Sequence, residues 1–485
     1  MWFRILAVLL VAIGSGPIQF ASAAERPNIL FIAVDDLNDF VGCMGGHPDA
    51  VTPNIDRLAR RGTLFTNAHC AAPICGPSRA ALMIGQHPAT TGIYGQIHDK
   101  DLQRYIKQRG QTALMSTWFA DHGYHTMCVG KIYHQGGGAG AFEEDGGRMG
   151  AFGPKPAKRM NYDPAWFDNK HGHTQTDWGA FPDRDDDMPD YKSADWAIQR
   201  LQRQYDKPFF LAVGMQRPHV PWHVPQKWFD KFQRDALTMP AYQRDDLADV
   251  PPAGVAVNEA PMMPDTEWAI ANKQWPAIIQ AYLACVMFAD AQVGRVLDAL
   301  DDSPYADNTI IVLWSDHGYH LGEKNHFSKQ TLWERSSHMP LIIAGPNLPD
   351  GQRVAAPVSL VDLYPTLLEM TSLPSPPQTL EGHSLTPLLR DPAADWPHMA
   401  MTNYGWKNTA LRDARYRYIQ YDDGSNELYD HQVDPNEWHN LADDPASAAV
   451  VKRFQSHLPK RHAKWSQFSR YDFNEYLTAN RENHR

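Results

Sequence analysis

The sequence predicts an α/β domain built on a mostly parallel β-sheet that helices cover on both faces. Apolar, β-prone runs alternate with helical segments along the first three quarters of the chain, as expected when helices connect buried parallel strands. The 485 residues are 43% hydrophobic, which is enough to bury a large core. We therefore expect one large domain with a smaller companion rather than several small modules.

The first predicted strand covers residues 27–34 (PNILFIAV), an uninterrupted apolar run that ends at Asp35 and Asp36. A helix is predicted to follow, with Thr52 as its N-cap, Pro53 at its first position and Gly62 after its end. Such a strand, apolar at every position, is typical of the interior of a parallel sheet.

The same alternation continues along the chain. Helices near residues 111–122, 193–205 and 277–300 precede predicted strands at 125–129, 208–213 and 309–314. Because ligands of open α/β sheets bind beyond the carboxyl ends of the strands, polar residues directly after these strands are candidate site residues. Irregular segments at 136–190 and 217–264 interrupt the pattern, and we expect the first to cap the site.

The pattern changes near residue 380. Residues 415–421 and 426–429 alternate as short antiparallel strands do. We expect a catalytic α/β domain over 24–380 and a smaller α+β subdomain over 381–485.

Residues 1–23 are predicted to be a signal peptide. Arg4 gives a positive start, residues 5–13 are apolar, and Ala21, Ser22 and Ala23 form a small-residue cleavage site. This apolar run is too short to span a bilayer, and no other stretch is expected to be apolar enough. The chain has no Asn-x-Ser/Thr sequon. We expect an exported protein, periplasmic or secreted and of bacterial origin.

The net charge argues against some classes of partner, and the cysteine count argues against a disulfide-stabilised fold. A formal net charge of −11 argues against nucleic acid or an anionic membrane as the main partner. Five cysteines are too few for a disulfide scaffold, and their odd number indicates that at least one has another role.

One short motif carries most of the chemical information: Cys75-Gly76-Pro77-Ser78-Arg79. It resembles the Cys-x-Pro-Ser-Arg signature of type I sulfatases. The blocks NILFIAVDDLND, TPNIDRLARRG, APICGPSR, VGKIYH, GMQRPHVP and WSDHGYHLGE are similar, in the same order, to those of the iduronate-2-sulfatase group. Met83-Ile84-Gly85 departs from the family's common Leu-Thr-Gly.

This resemblance implies an alkaline-phosphatase-like fold that hydrolyses sulfate esters, on a saccharide substrate. It also implies that a formylglycine-generating or anaerobic sulfatase-maturating enzyme converts Cys75 to formylglycine. The hydrated aldehyde suits the reaction because one hydroxyl can attack sulfur and the other can then expel sulfate. The alternative reading of Cys75 is a buried structural thiol.

The sequence also predicts a metal site. Asp35 and Asp36 follow one strand, and Asp316 and His317 follow another. Carboxylate oxygens brought together in this way suit one Ca²⁺, with Mg²⁺ as the alternative. The resemblance adds the formylglycine oxygen at position 75 as a further ligand.

The resemblance assigns the remaining catalytic roles. Arg79 would hold the formylglycine hydroxyl, Lys131 would bind the formylglycine and the sulfate, and His134 would take the proton when sulfate is expelled. His219 and Lys329 would contact the sulfate and the bridging oxygen, with His219 as the acid for the leaving alcohol.

The resemblance to the iduronate-2-sulfatase group implies a substrate with a uronic acid sulfated at O2, and we expect it to be attacked at a chain end. Trp222, His223, Trp406 and Lys407 are the candidate substrate contacts, because aromatic faces suit a pyranose and a lysine can pair with a carboxylate. The alternative is that these aromatic residues pack the two subdomains together.

Two rival functions stay open at this point. The first is a phosphomonoester or phosphonate hydrolase of the same fold. The second is a non-catalytic glycan-binding protein in which Cys75 is unconverted. Retention of the proton-transfer residues argues against the second rival.

Overall fold

The computed structural model describes residues 26–135, 138, 140–161, 174–259, 262–470 and 474–485. The predicted signal peptide and part of the irregular segment 136–190 lie outside the described residues. The described strands are β1 (Asn28–Val34), β2 (Thr63–Phe65), β3 (Ala68–His69), β4 (Gln96–Ile97), β5 (His125–Gly130), β6 (Glu144–Asp145), β7 (Trp178–Ala180), β8 (Phe209–Met215), β9 (Trp222–Val224), β10 (Thr309–Ser315), β11 (Leu341–Ala344), β12 (Gln352–Val354), β13 (Val358–Ser359), β14 (Ala400–Asn403), β15 (Thr409–Arg412), β16 (Tyr416–Gln420), β17 (Asn426–Asp430) and β18 (Ser469–Arg470). The described α-helices are α1 (Pro53–Arg60), α2 (Cys75–Ile84), α3 (Pro88–Thr91), α4 (Asp99–Arg109), α5 (Met115–Asp121), α6 (Pro189–Leu201), α7 (Gln226–Phe229), α8 (Pro252–Val257), α9 (Thr266–Ala271), α10 (Trp275–Asp301), α11 (Glu334–Ser337), α12 (Leu363–Met370), α13 (Thr386–Arg390), α14 (Ala448–His457) and α15 (Glu475–Asn483).

The main sheet has eight strands in the order β12-β2-β11-β10-β1-β8-β5-β6. Strand β11 runs antiparallel to both of its neighbours, whereas the other pairs in the sheet are parallel. The predicted α/β architecture with a mostly parallel sheet is confirmed.

Helices cover both faces of this sheet. Alternate residues of β1 point to opposite faces, so Leu30, Ile32 and Val34 share one core with buried residues of α1, α6 and α10. The residues between them share the second core with α2, α5 and α12. Every residue of β1 is buried, as the uninterrupted apolar run predicted.

Helix α10 corrects one expectation from the sequence. Its 27 residues and mean hydropathy of 1.4 make it long and apolar enough, by length and composition, to cross a membrane. However, 89% of that apolar stretch is buried inside the protein. Its apolar character is therefore explained by its position in the core, since a helix that is hydrophobic on all sides needs burial on all sides.

The C-terminal region contains an antiparallel sheet in the order β14-β15-β16-β17. Its last two strands coincide, within two residues, with the antiparallel strands predicted there. Arg417 of β16 donates to Glu334 of α11 and pairs with Glu437 at 3.0 Å, so a buried ion-pair network joins this sheet to the larger domain. The division at residue 380 stays a prediction.

The register of the main sheet determines where the site lies. Val34, the last residue of β1, pairs with Ser315 of β10 and with Met215 of β8. Gly130, the last residue of β5, pairs with Gly214. Four neighbouring parallel strands therefore end at one level, and the residues that follow them meet at one edge of the sheet.

Candidate active site

Cys75 is the first residue of helix α2. Ile74 before it is extended, and Gly85 after the helix has the left-handed φ of 74° that favours glycine. Pro77 fits within the first turn because the amide hydrogens there need no intrahelical partner. Cys75 therefore lies at the end of α2 whose partial positive charge favours an anion.

Two potentially cationic groups face the Cys75 sulfur. His317 Nε2 lies 3.3 Å from Sγ, and Lys131 Nζ lies 3.5 Å away. Burial alone would raise the pKa of the Cys75 thiol, but the Lys131 and Lys329 ammonium groups outweigh it and lower the pKa below its usual value. The position is therefore suited to carry negative charge on the atom attached to its Cβ.

Asp35 is the most heavily paired carboxylate in the site. It accepts hydrogen bonds from Lys131 Nζ, from Arg79 Nη2 at 3.2 Å and from Gln216 Nε2 at 3.0 Å. Burial opposes its ionisation, yet Lys131, His219 and Arg79 together hold its pKa well below the usual range. Asp35 is therefore an ionised, fully buried carboxylate.

Asp36 lies beside it and has φ of 61°, an uncommon value for a residue other than glycine. Its carboxylate accepts from Lys329 Nζ at 2.7 and 2.8 Å, and His317 Nε2 lies 3.4 Å from Oδ1. Burial raises the pKa of Asp36, and the neighbouring charge of Asp35 raises it further although Lys329 opposes both. Two adjacent buried carboxylates of this kind favour additional positive charge between them.

The donor set fits a divalent cation. Asp35, Asp36, Cys75 and His317 each offer one ligand atom, these atoms lie within 4.8 Å of one another, and all four residues are buried. Two carboxylate oxygens suit a hard cation such as Ca²⁺ or Mg²⁺, and an oxygen at position 75 would suit it better than sulfur.

Asp316 is placed differently from the other predicted ligands. Its Oδ2 accepts from Arg79 Nε at 2.8 Å, and its Oδ1 accepts the Asp36 backbone N–H at 3.2 Å. Oδ1 also lies 3.6 Å from His317 Nε2. Asp316 therefore borders the donor set and fixes the orientation of Arg79 and of the Asp36 backbone.

A second group with metal-ligand character, Glu334, His431 and Glu437, lies at the junction with the C-terminal sheet. Arg417 and Arg412 pair with Glu334 there. These guanidinium groups already neutralise the carboxylate, so the group is an ion-pair network rather than a second metal centre.

A cavity of about 200 Å³ is lined by Cys75 together with other residues that carry polar side chains, among them Gln96, His134, His219, Tyr319 and Lys329. His134 Nδ1 is buried without a hydrogen-bond partner among the described residues. Burial, reinforced by the Lys131 charge, lowers the pKa of His134 to about 3. His134 is therefore neutral at ordinary pH and able to accept a proton.

The predicted substrate contacts do not reach this cavity. Trp222 is fully buried and packs against Tyr282 and Tyr319, and His223 is 2% exposed and pairs with Asp177 at 3.1 Å. The prediction of a rim position for Trp222 and His223 is corrected: β9 pairs with β7 and turns both side chains into the interior.

Trp406 and Lys407 are also absent from the described lining of the cavity. The Trp406 ring stacks on His484 at 3.5 Å between ring centroids, with Lys407 Nζ 4.5 Å from the centre of the Trp406 ring. Trp406 therefore packs against His484 near the C-terminus, and neither Trp406 nor Lys407 lines the cavity that contains Cys75.

Sequence reasoning missed three polar residues of the site. Gln216 follows β8 directly and bonds Asp35, and Arg148 donates to Gln216 Oε1. Gln96 Oε1 accepts the Gly76 N–H at 2.8 Å. The strand-end rule could have found Gln216, whereas Arg148 and Gln96 lie in segments whose sequences carry no periodic signal.

Comparison with known protein families gives two matches. The sulfatase family model matches residues 27–373, and the model described as N-sulphoglucosamine sulphohydrolase, C-terminal, matches residues 322–464. A sulfatase from Formosa agariphila is 47% identical over 464 residues, which cover 95% of this chain and 91% of that protein. Human iduronate 2-sulfatase is 30% identical over 423 residues, covering 77% of this chain and 74% of its own.

Solved structures support the fold. The phosphonate monoester hydrolase of Agrobacterium radiobacter has a TM-score of 0.71 at 23% identity, covering 89% of this chain and 95% of its own. A structure described as a complex with its substrate D-glucosamine-2-N,6-O-disulfate has a TM-score of 0.68 at 23% identity, covering 90% and 97%. The expected alkaline-phosphatase-like fold is confirmed. The match to the family model over residues 27–373 spans well over half of the 485 residues, and the chain therefore belongs to the sulfatase family of sulfuric ester hydrolases.

Proposed function

We propose that this sulfatase hydrolyses sulfate esters on saccharides, with a formylglycine made from Cys75 as nucleophile and one bound Ca²⁺, or Mg²⁺ as the alternative. The observation that carries the proposal is the setting of Cys75. Its Sγ lies at the start of a helix, at the base of a cavity, and within 3.5 Å of Lys131 and His317. A structural thiol does not require this concentration of charge.

Formylglycine would supply, as its hydrate, an oxygen nucleophile in place of the thiol. Lys131 and Lys329 both act electrostatically on position 75 and would supply positive charge for an anionic sulfate group. Arg79 is fully buried, and its ion pairs with Asp35 and Asp316 hold its guanidinium in one position beside the start of α2. These charges are fixed before substrate arrives, which is the condition for efficient electrostatic stabilisation.

The residues that would hold the cation are Asp35, Asp36, His317 and position 75, with Asp316 retained as a predicted ligand. The ion would act as a Lewis acid on a sulfate oxygen and lower the pKa of an attacking hydroxyl. Lys131 already bonds Asp35, and Lys329 already bonds Asp36. The two lysines would therefore orient both carboxylates toward the donor set.

Two histidines would transfer protons in the proposed reaction. His134 has an imidazole nitrogen without a hydrogen-bond partner among the described residues, and its low pKa keeps the ring neutral, so this nitrogen is available to accept a proton as sulfate is expelled. Burial, together with Lys329 and Lys131, holds the pKa of His219 well below its usual value in the free site. His219 can therefore protonate the leaving alcohol only once the negative charge of the bound ester offsets these lysines.

The substrate class rests on the relatives. One relative is named iduronate 2-sulfatase, and one structure is described with a disulfated glucosamine. A saccharide sulfate is the class we propose, with the O2-sulfated uronic acid at a chain end as its most specific form. Export from a bacterial cell and modification by a formylglycine-generating or anaerobic sulfatase-maturating enzyme are parts of the same proposal.

The test uses a matched pair of chromogenic esters, one of sulfate and one of phosphate, with protein produced beside a converting enzyme. We expect sulfate release to exceed phosphate release, formylglycine at position 75 by peptide mass spectrometry, and loss of turnover in Cys75→Ala. Faster phosphate release would favour the phosphohydrolase rival. Unmodified Cys75 in a fully active preparation would refute the nucleophile, and unmodified Cys75 together with absence of turnover would favour the glycan-binding rival.

A further inference from the structure

A larger cavity of about 670 Å³, which we call the side pocket, lies next to the catalytic cavity. The segment 326–330 separates the two. His326 and Phe327 line the side pocket, while Ser328, Lys329 and Gln330 line the catalytic cavity. Met263 lines both. When the sulfate of a substrate contacts Lys329, the next unit of that substrate can therefore enter the side pocket.

The lining of the side pocket suits a sugar ring. Trp268, on α9, contributes a half-buried aromatic surface to the lining. Asn325 also lines the pocket; its amide oxygen accepts the Thr266 and Glu267 N–H groups, which leaves the amide Nδ2 to meet a ligand. Trp333 also lines the pocket, but it is 2% exposed and its indole N–H donates to Glu427. The volume lies within the range of about 300–1,000 Å³ that is usual for ligand sites. An aromatic face combined with an amide N–H group matches the apolar face and hydroxyl edge of a pyranose.

The charges of the side pocket disfavour an anionic occupant. Glu259 and Asp265 are exposed acidic residues in its described lining. Lys324 is the only Lys or Arg among the described lining residues, and it is buried and bonded to Asp246 at 2.9 Å and to the Glu437 carbonyl. A carboxylate or sulfate in this pocket would thus be repelled by Glu259 and Asp265, and Lys324 would not compensate because it is already paired.

We infer that the side pocket binds an uncharged sugar unit adjacent to the sulfated unit of the substrate, and that it selects against a uronate at that position. This inference rests on the proposed function and makes it more specific. The catalytic cavity accepts the sulfated unit, and the side pocket then discriminates among oligosaccharides by the charge of the next unit.

The experiment compares three substrates that share one sulfated sugar: the monosaccharide, its extension by a neutral hexose, and its extension by a uronic acid. For the wild-type protein we expect kcat/KM to be highest with the neutral extension and lowest with the uronate. Trp268→Ala should lower the ratio of kcat/KM for the neutral disaccharide to kcat/KM for the monosaccharide by about tenfold, which corresponds to the loss of one good aromatic contact. Glu259→Lys should raise the ratio of kcat/KM for the uronate-extended substrate to kcat/KM for the neutral disaccharide, because it replaces an acid of the pocket by a cation.

Glu482→Lys is the matched control, because it makes the same charge change at an exposed residue of α15 outside the side pocket and should leave both ratios unchanged. Equal kcat/KM for the three substrates, or ratios insensitive to Glu259→Lys, would overturn the inference while leaving the proposed function intact. Absence of turnover with all three would overturn the proposed function and this inference together. Because Glu259 is exposed, its variant keeps the test valid if Trp268→Ala does not fold.

Discussion

The Nε–H of Arg79 donates to Asp316 Oδ2 at 2.8 Å, while Nη2 of the same guanidinium reaches Asp35 Oδ1 at 3.2 Å. One side chain from α2 therefore connects the residues that follow β1 and β10. All three residues are fully buried. The geometry of the candidate active site thus depends on a buried charge network as well as on the sheet.

Arg79→Met should destabilise the protein by about 3–5 kcal/mol, because it removes the one guanidinium that two buried carboxylates share. Urea-induced unfolding of the purified variant measures this. Arg61→Met is the control, since Arg61 pairs with Asp301 at 2.7 Å at a partly exposed position and should cost no more than about 1 kcal/mol. Equal losses in the two variants would contradict the network.

Added Ca²⁺ should raise the thermal unfolding temperature, since a ligand that binds only the folded state stabilises it by about 2.7 kcal/mol at a hundredfold excess over Kd. Asp36→Asn should remove this stabilisation, because it takes one carboxylate from the donor set. Asp186→Asn, in an exposed Asp run paired with Arg184, should retain it. Stabilisation that survives in Asp36→Asn would place the ion elsewhere.

Acid should destabilise the protein steeply between about pH 6.5 and pH 4. Burial lowers the pKa of His326 to about 4, so the unfolded chain takes up a proton in this window and the folded protein does not. Stability is therefore present above pH 6.5 and is lost as the pH falls, by about 3 kcal/mol for this residue.

His326→Gln should reduce that loss, as measured by unfolding at a series of pH values. His457→Gln, an exposed position on α14, serves as the control and should follow the wild-type profile. An unchanged pH profile in His326→Gln would show that other groups determine the acid sensitivity.

His134→Gln should lower kcat by a factor of about 10²–10⁴, the usual contribution of a general base, with a smaller effect on KM. The measurement is steady-state turnover of the chromogenic sulfate ester. Because the pKa of His134 is about 3, its titration should not limit activity between pH 5 and pH 7. A kcat within threefold of the wild-type value would remove His134 from the proton-transfer step.

The sequence predicted the strands that build the site better than the side chains that complete it. Apolar runs located β1, β8 and β10 within two residues, because fully buried strands need apolar residues at every position. Polar residues directly after strands located Asp35, Lys131 and His317 for the same geometric reason.

The errors have physical causes too. The start of helix α2 at Cys75 was not predicted, because its first turn contains glycine and proline, which are typical of a loop. Trp222 looked like a surface aromatic because it lies in an irregular segment, yet its pairing partner β7 is distant in sequence. Nothing in a local pattern can reveal such a contact.

The pairing of β1 with β10 sets an order of events for newly made chains. Cys75 is 1% exposed once folded, and its neighbour His317 lies 242 positions later in the sequence. Synthesis at about 5–20 residues per second leaves roughly 10–50 s before that part of the sheet exists. An enzyme that carried out the proposed modification of Cys75 would therefore have to act on an open chain during this interval, and faster folding would compete with that modification.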